Sequence, residues 1–350
     1  MREAITPLLE ETDRILIRST NWIGDVVMSM AALREVRRLY PEAHLAVFAR
    51  HWVAALFEGQ GVVDEIIPFS NDRSTLRWRQ QLRSYDAAIL FQNAFAAGLL
   101  AFLSRIPKRI GYSTQGRGFL LNRRARPRIK DLERHQVYYY LDLLFQTGVS
   151  KLDYLNSPDF QPDISLTATA QSLKSSDRVL KELGLDPNDY LIGINPGAFF
   201  GPAKRWHSDR YGALADLLAR EKGAKVLIFG SEGERPIAEE IETHMKERPF
   251  ILAGRTDLPA LMGTISRCRL FITNDSGPMH LAAALGVRQA AIFGSTDEIA
   301  TGPFSDKAVV IHKHVDCSPC LLRECPKDFR CFNRISVDEV FETAKGLLEE

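Results

Sequence analysis

The segment with the most chemical potential runs from residue 273 to residue 280 and reads Thr-Asn-Asp-Ser-Gly-Pro-Met-His. An apolar stretch that predicts a β-strand precedes it, and the proline suits the first turn of a helix. The free backbone amides of Ser276 and Gly277 would then lie at the positive end of that helix, where phosphate groups bind. His280, one turn further along, can donate a hydrogen bond to the same anion. The alternative is an ordinary helix start at which Asp275 and Ser276 act as capping residues.

A second candidate phosphate loop follows another apolar stretch, at Asn195 and Gly197. A glycine there suits a loop whose backbone amides face a phosphate group. Lys204 comes soon afterwards and would add a full positive charge. The alternative is a surface lysine close to Trp206 of the core, and this segment alone does not decide between the two.

Asp25 is the candidate general base. It lies in the sequence Asn-Trp-Ile-Gly-Asp, between residues 14–19, which predict a strand, and a stretch with apolar residues at helical spacing. At the carboxyl end of a strand, a carboxylate is well placed to take a proton from a bound hydroxyl group. Gly24 would let the chain turn tightly just before it. The alternative is that Asp25 only caps the helix that follows.

The elements that must position these residues alternate between strand and helix patterns along the chain. This alternation predicts an α/β fold with parallel sheets covered by helices. A first series of elements starts near the N-terminus and a second near residue 190. We therefore predict two Rossmann-like parallel-sheet domains that face each other across a cleft, because open α/β sheets bind ligands at the carboxyl ends of their strands. The predicted domains are residues 1–165 and 166–335, followed by a helix at 336–350 that packs back on the first domain.

Charge is unevenly distributed, although the 350 residues carry a net charge of only +1. The tract from Arg105 to Lys130 contains many lysines and arginines and no acidic residue. Such a tract points to an acidic partner, and the alternative is a solvated basic loop. Its only aromatic residues are Tyr112 and Phe119, a poor stacking platform, so we expect no nucleic acid as a partner. The candidate acceptor contacts in the tract are Arg109, Arg117, Arg123 and Arg124.

Several nucleotide-binding motifs are absent from the sequence. No G-x-x-x-x-G-K-[ST] motif indicates a P-loop, and no G-x-G-x-x-G motif follows a predicted strand, which counts against an NAD-dependent oxidoreductase. No Asp-x-Asp pair is present to hold a metal ion against a diphosphate, so we expect no metal site and no cofactor. The first residues lack an apolar signal core, and no apolar stretch is long enough to span a bilayer. These features predict a cytoplasmic protein.

Four of the five cysteines lie close together near the C-terminus, with the spacing C-x₂-C-x₄-C-x₅-C. They are Cys317, Cys320, Cys325 and Cys331. Thiolates spaced in this way can bind zinc or an iron–sulfur cluster, and the alternative is a set of partly buried free thiols. The sequence leaves this choice open, and we expect no catalytic role for them.

Four sequence blocks together resemble glycosyltransferase family 9. They are N-W-I-G-D-V-V-M, N-P-G-A with G-P-A-K-R-W, N-D-S-G-P-M-H-L-A-A-A, and C-S-P-C with E-C-P, and they span nearly the whole chain. The resemblance implies the two-domain GT-B fold and inverting transfer without an essential metal ion. The implied donor is ADP-L-glycero-β-D-manno-heptose, bound by the second domain. The implied acceptor is the first heptose on Kdo–lipid A, bound by the first domain, which implies a peripheral protein at the anionic cytoplasmic face of the inner membrane.

The functional positions of the family carry over residue by residue. Its acceptor-side aspartate matches Asp25, and its phosphate-binding lysine matches Lys204. Its ribose-binding glutamate best matches Glu234, although Glu232 is close enough to confuse the alignment. A nucleoside contact falls near Thr256. The D-[ST]-G-x-x-H loop of the family matches Asp275, Ser276, Gly277 and His280.

The sequence departs from the family pattern at one place, and one alternative assignment remains. A threonine pair that some relatives place before the lysine is absent, and Phe199 and Phe200 occupy that region. A family sibling with another heptose or core acceptor fits the same motifs, because acceptor choice resides in loops.

Overall fold

The computed structural model of the protein describes residue 9 and residues 12–70, 75–128 and 133–349. The chain divides into two compact units, residues 1–164 and 165–350. Each unit is built around a parallel six-stranded sheet. The structure therefore confirms the predicted α/β fold with two Rossmann-like sheets.

The first unit alternates strands and helices from its first element. Its strands are β1 (Arg14–Arg18), β2 (His44–Arg50), β3 (Glu65–Phe69), β4 (Ala87–Leu90), β5 (Lys108–Tyr112) and β6 (Arg123–Ala125). Its helices are α1 (Ile23–Leu39), α2 (His51–Ala54), α3 (Thr75–Gln81), α4 (Phe95–Leu103) and α5 (Val137–Gln146). The strand order is β3-β2-β1-β4-β5-β6. In this Rossmann order, the chain reverses its progress across the sheet between β1 and β4.

The second unit repeats this design. Its strands are β7 (Leu191–Asn195), β8 (Lys225–Ile228), β9 (Phe250–Ile251), β10 (Leu270–Asn274), β11 (Gln289–Phe293) and β12 (Ala308–His312). Its helices are α6 (Ala170–Glu182), α7 (Ser208–Lys222), α8 (Arg235–Thr243), α9 (Leu258–Arg267), α10 (Gly277–Ala284), α11 (Glu298–Thr301), α12 (Arg330–Asn333) and α13 (Val337–Glu349). The order β12-β11-β10-β7-β8-β9 places the reversal between β7 and β10. Strands β7, β10 and β11 are buried throughout, as expected for parallel strands covered on both faces.

The position of the C-terminal helix α13 corrects the sequence prediction. Its apolar stripe is buried in the hydrophobic core of the second unit, through Val340, Phe341, Ala344 and Leu347. The helix packs there beside α7 and strands β10 and β11. Helix α13 is therefore part of the second unit, whereas the sequence analysis had assigned it to packing on the first domain.

The helices are short relative to a bilayer. The long helix α1 has 17 residues, whereas a membrane span needs about 20 apolar residues. Helix α4, which is rich in alanine and leucine, has 9 residues. Within the described ranges, no helix combines the length and apolar character needed to cross a membrane.

Candidate functional site

The predicted donor residues meet where the second sheet reverses, between β7 and β10. These strands are neighbours, and Asn195 lies opposite Thr273 in their register. Ligands of open α/β sheets bind in the crevice at such a point, outside the carboxyl ends of the strands. Asn195 ends β7, and its Nδ2 donates a hydrogen bond to Oγ of Ser276 over 3.1 Å. The structure thus brings the two candidate phosphate loops together.

Lys204 and Asp275 form a largely buried ion pair beside these loops. The Lys204 Nζ lies 2.5 Å from Oδ2 of Asp275, and the two side chains are only 15% and 6% exposed. Oγ1 of Thr301 also approaches the same carboxylate oxygen, at 3.4 Å. Because an ammonium group has three donors, Lys204 can hold Asp275 and still donate to an anion bound at this point.

Asn274 holds the two loops in register, and the sequence analysis did not identify it. Its Oδ1 accepts hydrogen bonds from the backbone N–H of Trp206, at 3.1 Å, and from the hydroxyl of Tyr211, at 2.9 Å. Its Nδ2 donates to the carbonyl oxygen of Pro196 over 2.6 Å. The side chain is fully buried, so these bonds satisfy polar atoms that no water reaches. The available signal was an amide side chain at the end of an apolar strand.

The first turn of α10 has no side-chain cap. Ser276 occupies the capping position, but its side chain makes no capping hydrogen bond to the helix. Its Oγ lies instead 3.1 Å from Asn195 Nδ2 and 3.2 Å from Thr273 Oγ1. His280 lies one turn into the helix and is buried. The backbone amides at a helix start carry positive partial charge, so this end of α10 can accept an anion.

The two candidate ribose glutamates have different surroundings. Oε2 of Glu234 accepts hydrogen bonds from the backbone N–H and the hydroxyl of Ser231, both at 2.8 Å, in a capping box. Its other oxygen lies against Gly197, where an added Cβ would come within 2.2 Å of Oε1. Glu232 packs instead against Gly254 in the next loop. Glu234 is therefore the glutamate that borders the candidate phosphate loop.

Thr256 lies in the loop between β9 and α9. It is half-buried and immediately precedes Asp257, whose Oδ1 accepts a hydrogen bond from the backbone N–H of Ala260 at 2.9 Å and so caps α9. Because the strands are parallel, this loop follows the carboxyl end of β9, on the same edge of the sheet as the loops after β7 and β10. Thr256 thus shares an edge with the other donor candidates.

Asp25 lies in the first turn of α1, after the carboxyl end of β1. The capping position of this helix is Trp22, not Asp25. The hydroxyl of Tyr140 donates a hydrogen bond to Oδ1 of Asp25 over 3.5 Å. Burial raises the pKa of Tyr140 well above its usual value, and the Asp25 charge adds to the rise, so the phenol stays a neutral donor. The sequence analysis missed Tyr140; its only signal was a run of tyrosines in an amphipathic helix.

Arg117 does not occupy the position expected of an acceptor contact. Its side chain is fully buried. Nε donates to the carbonyl oxygen of Tyr112 over 2.9 Å, Nη2 donates to Oδ1 of Asn93 over 3.1 Å, and Nη1 faces the carbonyl oxygen of Gln92. Burial lowers its pKa to about 10. Arg117 therefore holds the loops after β4 and β5 together, because these carbonyl groups consume its donors.

The other candidates of the basic tract are more accessible. Arg109 is half-buried and donates to the carbonyl oxygens of Leu120 and Ile106, both over 2.7 Å. Arg123 and Arg124 are exposed on β6, and Arg124 lines a cavity of about 390 Å³. The last two residues of the tract lie outside the described residues. Arg123 and Arg124 are thus the members of the predicted set that stand open to an acidic ligand.

One group of the described residues could hold a divalent metal ion. Glu298, His312 and His314 each offer a ligand atom, and these atoms lie within 4.8 Å of one another. The cysteines are free thiols. Burial raises the pKa of the Cys331 thiol, which favours its neutral form. The His–Glu group, which the sequence analysis did not identify, is therefore a better candidate metal site than the cysteines.

The two Rossmann-type sheets give the chain the two-domain architecture of the GT-B fold. The solved structure of E. coli ADP-heptose LPS heptosyltransferase II matches with a TM-score of 0.82 and 29% identity, over 96% of this chain and 98% of that one. The chain belongs to glycosyltransferase family 9 (heptosyltransferase), whose family model matches residues 75–329.

Two curated relatives agree with this assignment. The chain is 35% identical over 318 residues to the lipooligosaccharide heptosyltransferase 2 of Haemophilus ducreyi. This alignment covers 85% of this chain and 88% of the relative. The chain is also 34% identical over 311 residues to the lipopolysaccharide heptosyltransferase 2 of Salmonella typhimurium. This alignment covers 85% of this chain and 87% of the relative. Both similarities extend over most of each chain.

Proposed function

We propose that the protein transfers L-glycero-D-manno-heptose from ADP-heptose to the first heptose of the lipopolysaccharide inner core, with inversion at the anomeric carbon. The observation that carries the proposal is the buried Lys204–Asp275 pair at the reversal point of the second sheet, beside the uncapped start of α10. The names of the curated relatives, both heptosyltransferase 2 enzymes, support the same reaction.

The second unit binds ADP-heptose in this proposal. The diphosphate lies against Lys204 and the first-turn amides of α10, and these groups stabilise the negative charge that develops on ADP as it leaves. Asn195 and Gly197 shape the neighbouring loop, and Glu234 and Thr256 contact the ribose and the nucleoside. Asp275 keeps the ammonium of Lys204 in place through their ion pair.

The first unit activates the acceptor. Asp25 takes the proton from the acceptor hydroxyl while the oxygen of that hydroxyl forms the new bond to the anomeric carbon of heptose. The bond from that carbon to the ADP phosphate oxygen breaks on the opposite side, which inverts the configuration. General-base catalysis of this kind contributes about 10²–10⁴ in rate. Tyr140 positions the Asp25 carboxylate through its hydroxyl group.

The acceptor in this proposal is Kdo–lipid A that carries one heptose, at the cytoplasmic face of the inner membrane. Exposed Arg123 and Arg124 face its phosphate groups or anionic lipids, which attract basic residues near the surface. Lys204 and α10 serve in place of a divalent ion, so the transfer proceeds without a metal or a cofactor. Nucleic acid has no role.

The test of this proposal is release of the nucleoside diphosphate: ADP from ADP-heptose, compared with ADP from ADP-glucose and UDP from UDP-glucose. We expect release from ADP-heptose alone, and only when Kdo–lipid A with one heptose is present. Release with Kdo–lipid A that lacks the heptose would support a family sibling with another acceptor. Equal release without any acceptor would contradict the proposal, because it would indicate hydrolysis and not transfer.

A further inference from the structure

Two arginines lie next to each other at the carboxyl edge of the first sheet. Arg18 is the last residue of β1, and Arg50 is the last residue of the neighbouring strand β2. The Cζ atom of each lies 4.7 Å from the centre of the Phe69 ring, at the end of β3. Within the described part of the chain, neither arginine forms an ion pair. We call Arg18 and Arg50 the arginine pair.

Among the described residues, no ion pair compensates the positive charge of the arginine pair. Arg18 is buried. Its Nη1 faces the carbonyl oxygen of Ser19, and its Nη2 donates a hydrogen bond to Oδ1 of Asn21 over 2.9 Å. Both of these acceptors are neutral. Nε and Nη1 of Arg50 are buried and have no hydrogen-bond partner in the described part of the chain. Burial, and then the charge of Arg50, lowers the pKa of Arg18 to about 9. Stacking on Phe69 stabilises each cation, but it does not remove the repulsion between them.

The arginine pair is connected to the loop that carries the candidate base. Asn21, which accepts the hydrogen bond from Arg18, also accepts one at its carbonyl oxygen from Nε1 of Trp52, over 2.8 Å. The ring of Trp52 lies 5.2 Å from the Cζ atom of Arg50. The same loop leads directly into the first turn of α1, which contains Asp25. A ligand held by the pair would therefore lie on the edge of the sheet from which Asp25 acts.

We propose that Arg18 and Arg50 form a subsite for an oxyanion, a phosphate or carboxylate group, on the acceptor. Guanidinium groups suit such ligands because their planar donors match pairs of anionic oxygens. Arg50 is the more exposed member, since its side chain is only partly buried although Nε and Nη1 are enclosed, and it donates no hydrogen bond to the described residues. The assignment of the anion to the acceptor rests on the proposed function, whereas the anion subsite itself rests on the arginine pair alone.

The first experiment measures binding of inorganic phosphate by titration calorimetry, with saturating ADP present to occupy the donor site. We expect Arg50→Gln to weaken phosphate binding about tenfold or more, the loss typical of a hydrogen bond to a charged group. Arg50→Lys, which keeps the charge, should retain part of the affinity. Arg248→Gln removes the same charge from an exposed position of the second unit and should change nothing. Equal phosphate affinity in wild type and Arg50→Gln overturns the subsite.

The second experiment assigns the anion to its source. We expect Arg50→Gln to raise the acceptor KM about tenfold and to leave the KM of ADP-heptose unchanged. An acceptor with its phosphates removed and its carboxylates esterified should give the same KM with both proteins. An equal rise in KM for both acceptors overturns the assignment. If the wild type transfers no heptose but phosphate binding still requires Arg50, the proposed function fails and the anion subsite stands.

Discussion

At the scale of single residues, the two aspartates of the site differ in what their hydrogen-bond partners do to their charge. Asp275 is neutralised by Lys204, and both side chains are largely buried. Asp25 accepts its hydrogen bond from Tyr140, a neutral phenol, and is half-buried. The hydrogen bond from Tyr140 orients the Asp25 carboxylate without neutralising it. Asp25 is therefore suited to act as a base, whereas Asp275 is suited to hold a cation in place.

Replacement of Asp25 by asparagine tests this role. We expect Asp25→Asn to lower kcat by about 10²–10⁴, because an amide cannot accept the proton, while the Kd of ADP-heptose stays near that of wild type. Asp209→Asn is a matched control, since Asp209 lies in the first turn of α7 and is exposed. Near-normal turnover in Asp25→Asn would reduce Asp25 to a structural residue of the helix start.

Removal of Lys204 should act on the donor. We expect Lys204→Ala to lower kcat/KM for ADP-heptose by about 10²–10³, the usual effect of losing one donor to a developing negative charge. The variant also leaves Asp275 without its cation, so its melting temperature should fall as well. The double variant Lys204→Ala with Asp275→Asn restores charge balance and should recover stability but not activity. Recovery of activity in the double variant would contradict a direct role of Lys204.

Residue types and spacing were enough to single out candidate site residues, but not the side chains that contact them. Asp25, Lys204 and Asp275 are charged residues after predicted strands, so they could be predicted from the sequence. Tyr140 reaches Asp25 from 115 positions away, and Tyr211 bonds to Asn274 across 63 positions. Such partners depend on how helices pack, which the local sequence pattern does not record.

At the scale of elements, two helices of the second unit approach each other so closely that only a glycine fits at their contact. Helix α9 packs on α6, with Gly263 at the contact. A Cβ at this position would lie 2.2 Å from the carbonyl oxygen of Ser172 and 2.9 Å from Cβ of Ser176. The absence of a side chain therefore sets the distance between the two helices.

Two glycine substitutions should have opposite effects on the second unit. We expect Gly263→Ala to destabilise it by about 1–3 kcal/mol, because the added methyl group must displace the α6 backbone. Gly346→Ala, in α13, meets no atom within 4 Å and should stabilise the protein by about 0.5–1 kcal/mol through better helix propensity. Urea unfolding measures both. A neutral result for Gly263→Ala would show that the two helices can move apart at little cost.

Helix α13 and Arg117 also show where sequence patterns stop being informative, because neither pattern identifies the packing partner. The apolar stripe of α13 predicted an amphipathic helix, and the structure contains it. The stripe alone did not reveal its partner, because any apolar face of suitable width would serve. Likewise, Arg117 read as one more cation of a basic tract, and only the carbonyl groups after β4 and β5 show why it is buried.

At the scale of the whole molecule, the fold was the most predictable feature. Parallel strands covered on both faces must be apolar runs, and each run that the sequence analysis used appears as a strand, such as residues 14–19 against the observed Arg14–Arg18. The observed strand order places a reversal point in each sheet. The two candidate phosphate loops meet at the reversal point of the second sheet, because they follow the neighbouring strands β7 and β10.

Treatment with EDTA tests whether the reaction needs a divalent ion. We expect turnover to persist in EDTA, because Lys204 and the start of α10 provide the positive charge that a metal would otherwise supply. Glu298→Gln serves as a control, since it removes the carboxylate of the candidate metal group without altering Lys204. Complete loss of transfer in EDTA, restored by added Mg²⁺, would contradict the metal-independent scheme.

The central claim is that the protein adds one heptose to a core that already carries one. The direct measurement is mass spectrometry of Kdo–lipid A with and without the first heptose, each incubated with ADP-heptose and either wild type or Asp25→Asn. We expect one added heptose on the heptosylated acceptor with wild type, and almost none with Asp25→Asn or with the shorter acceptor. A heptose added to the shorter acceptor, or to neither, would contradict it.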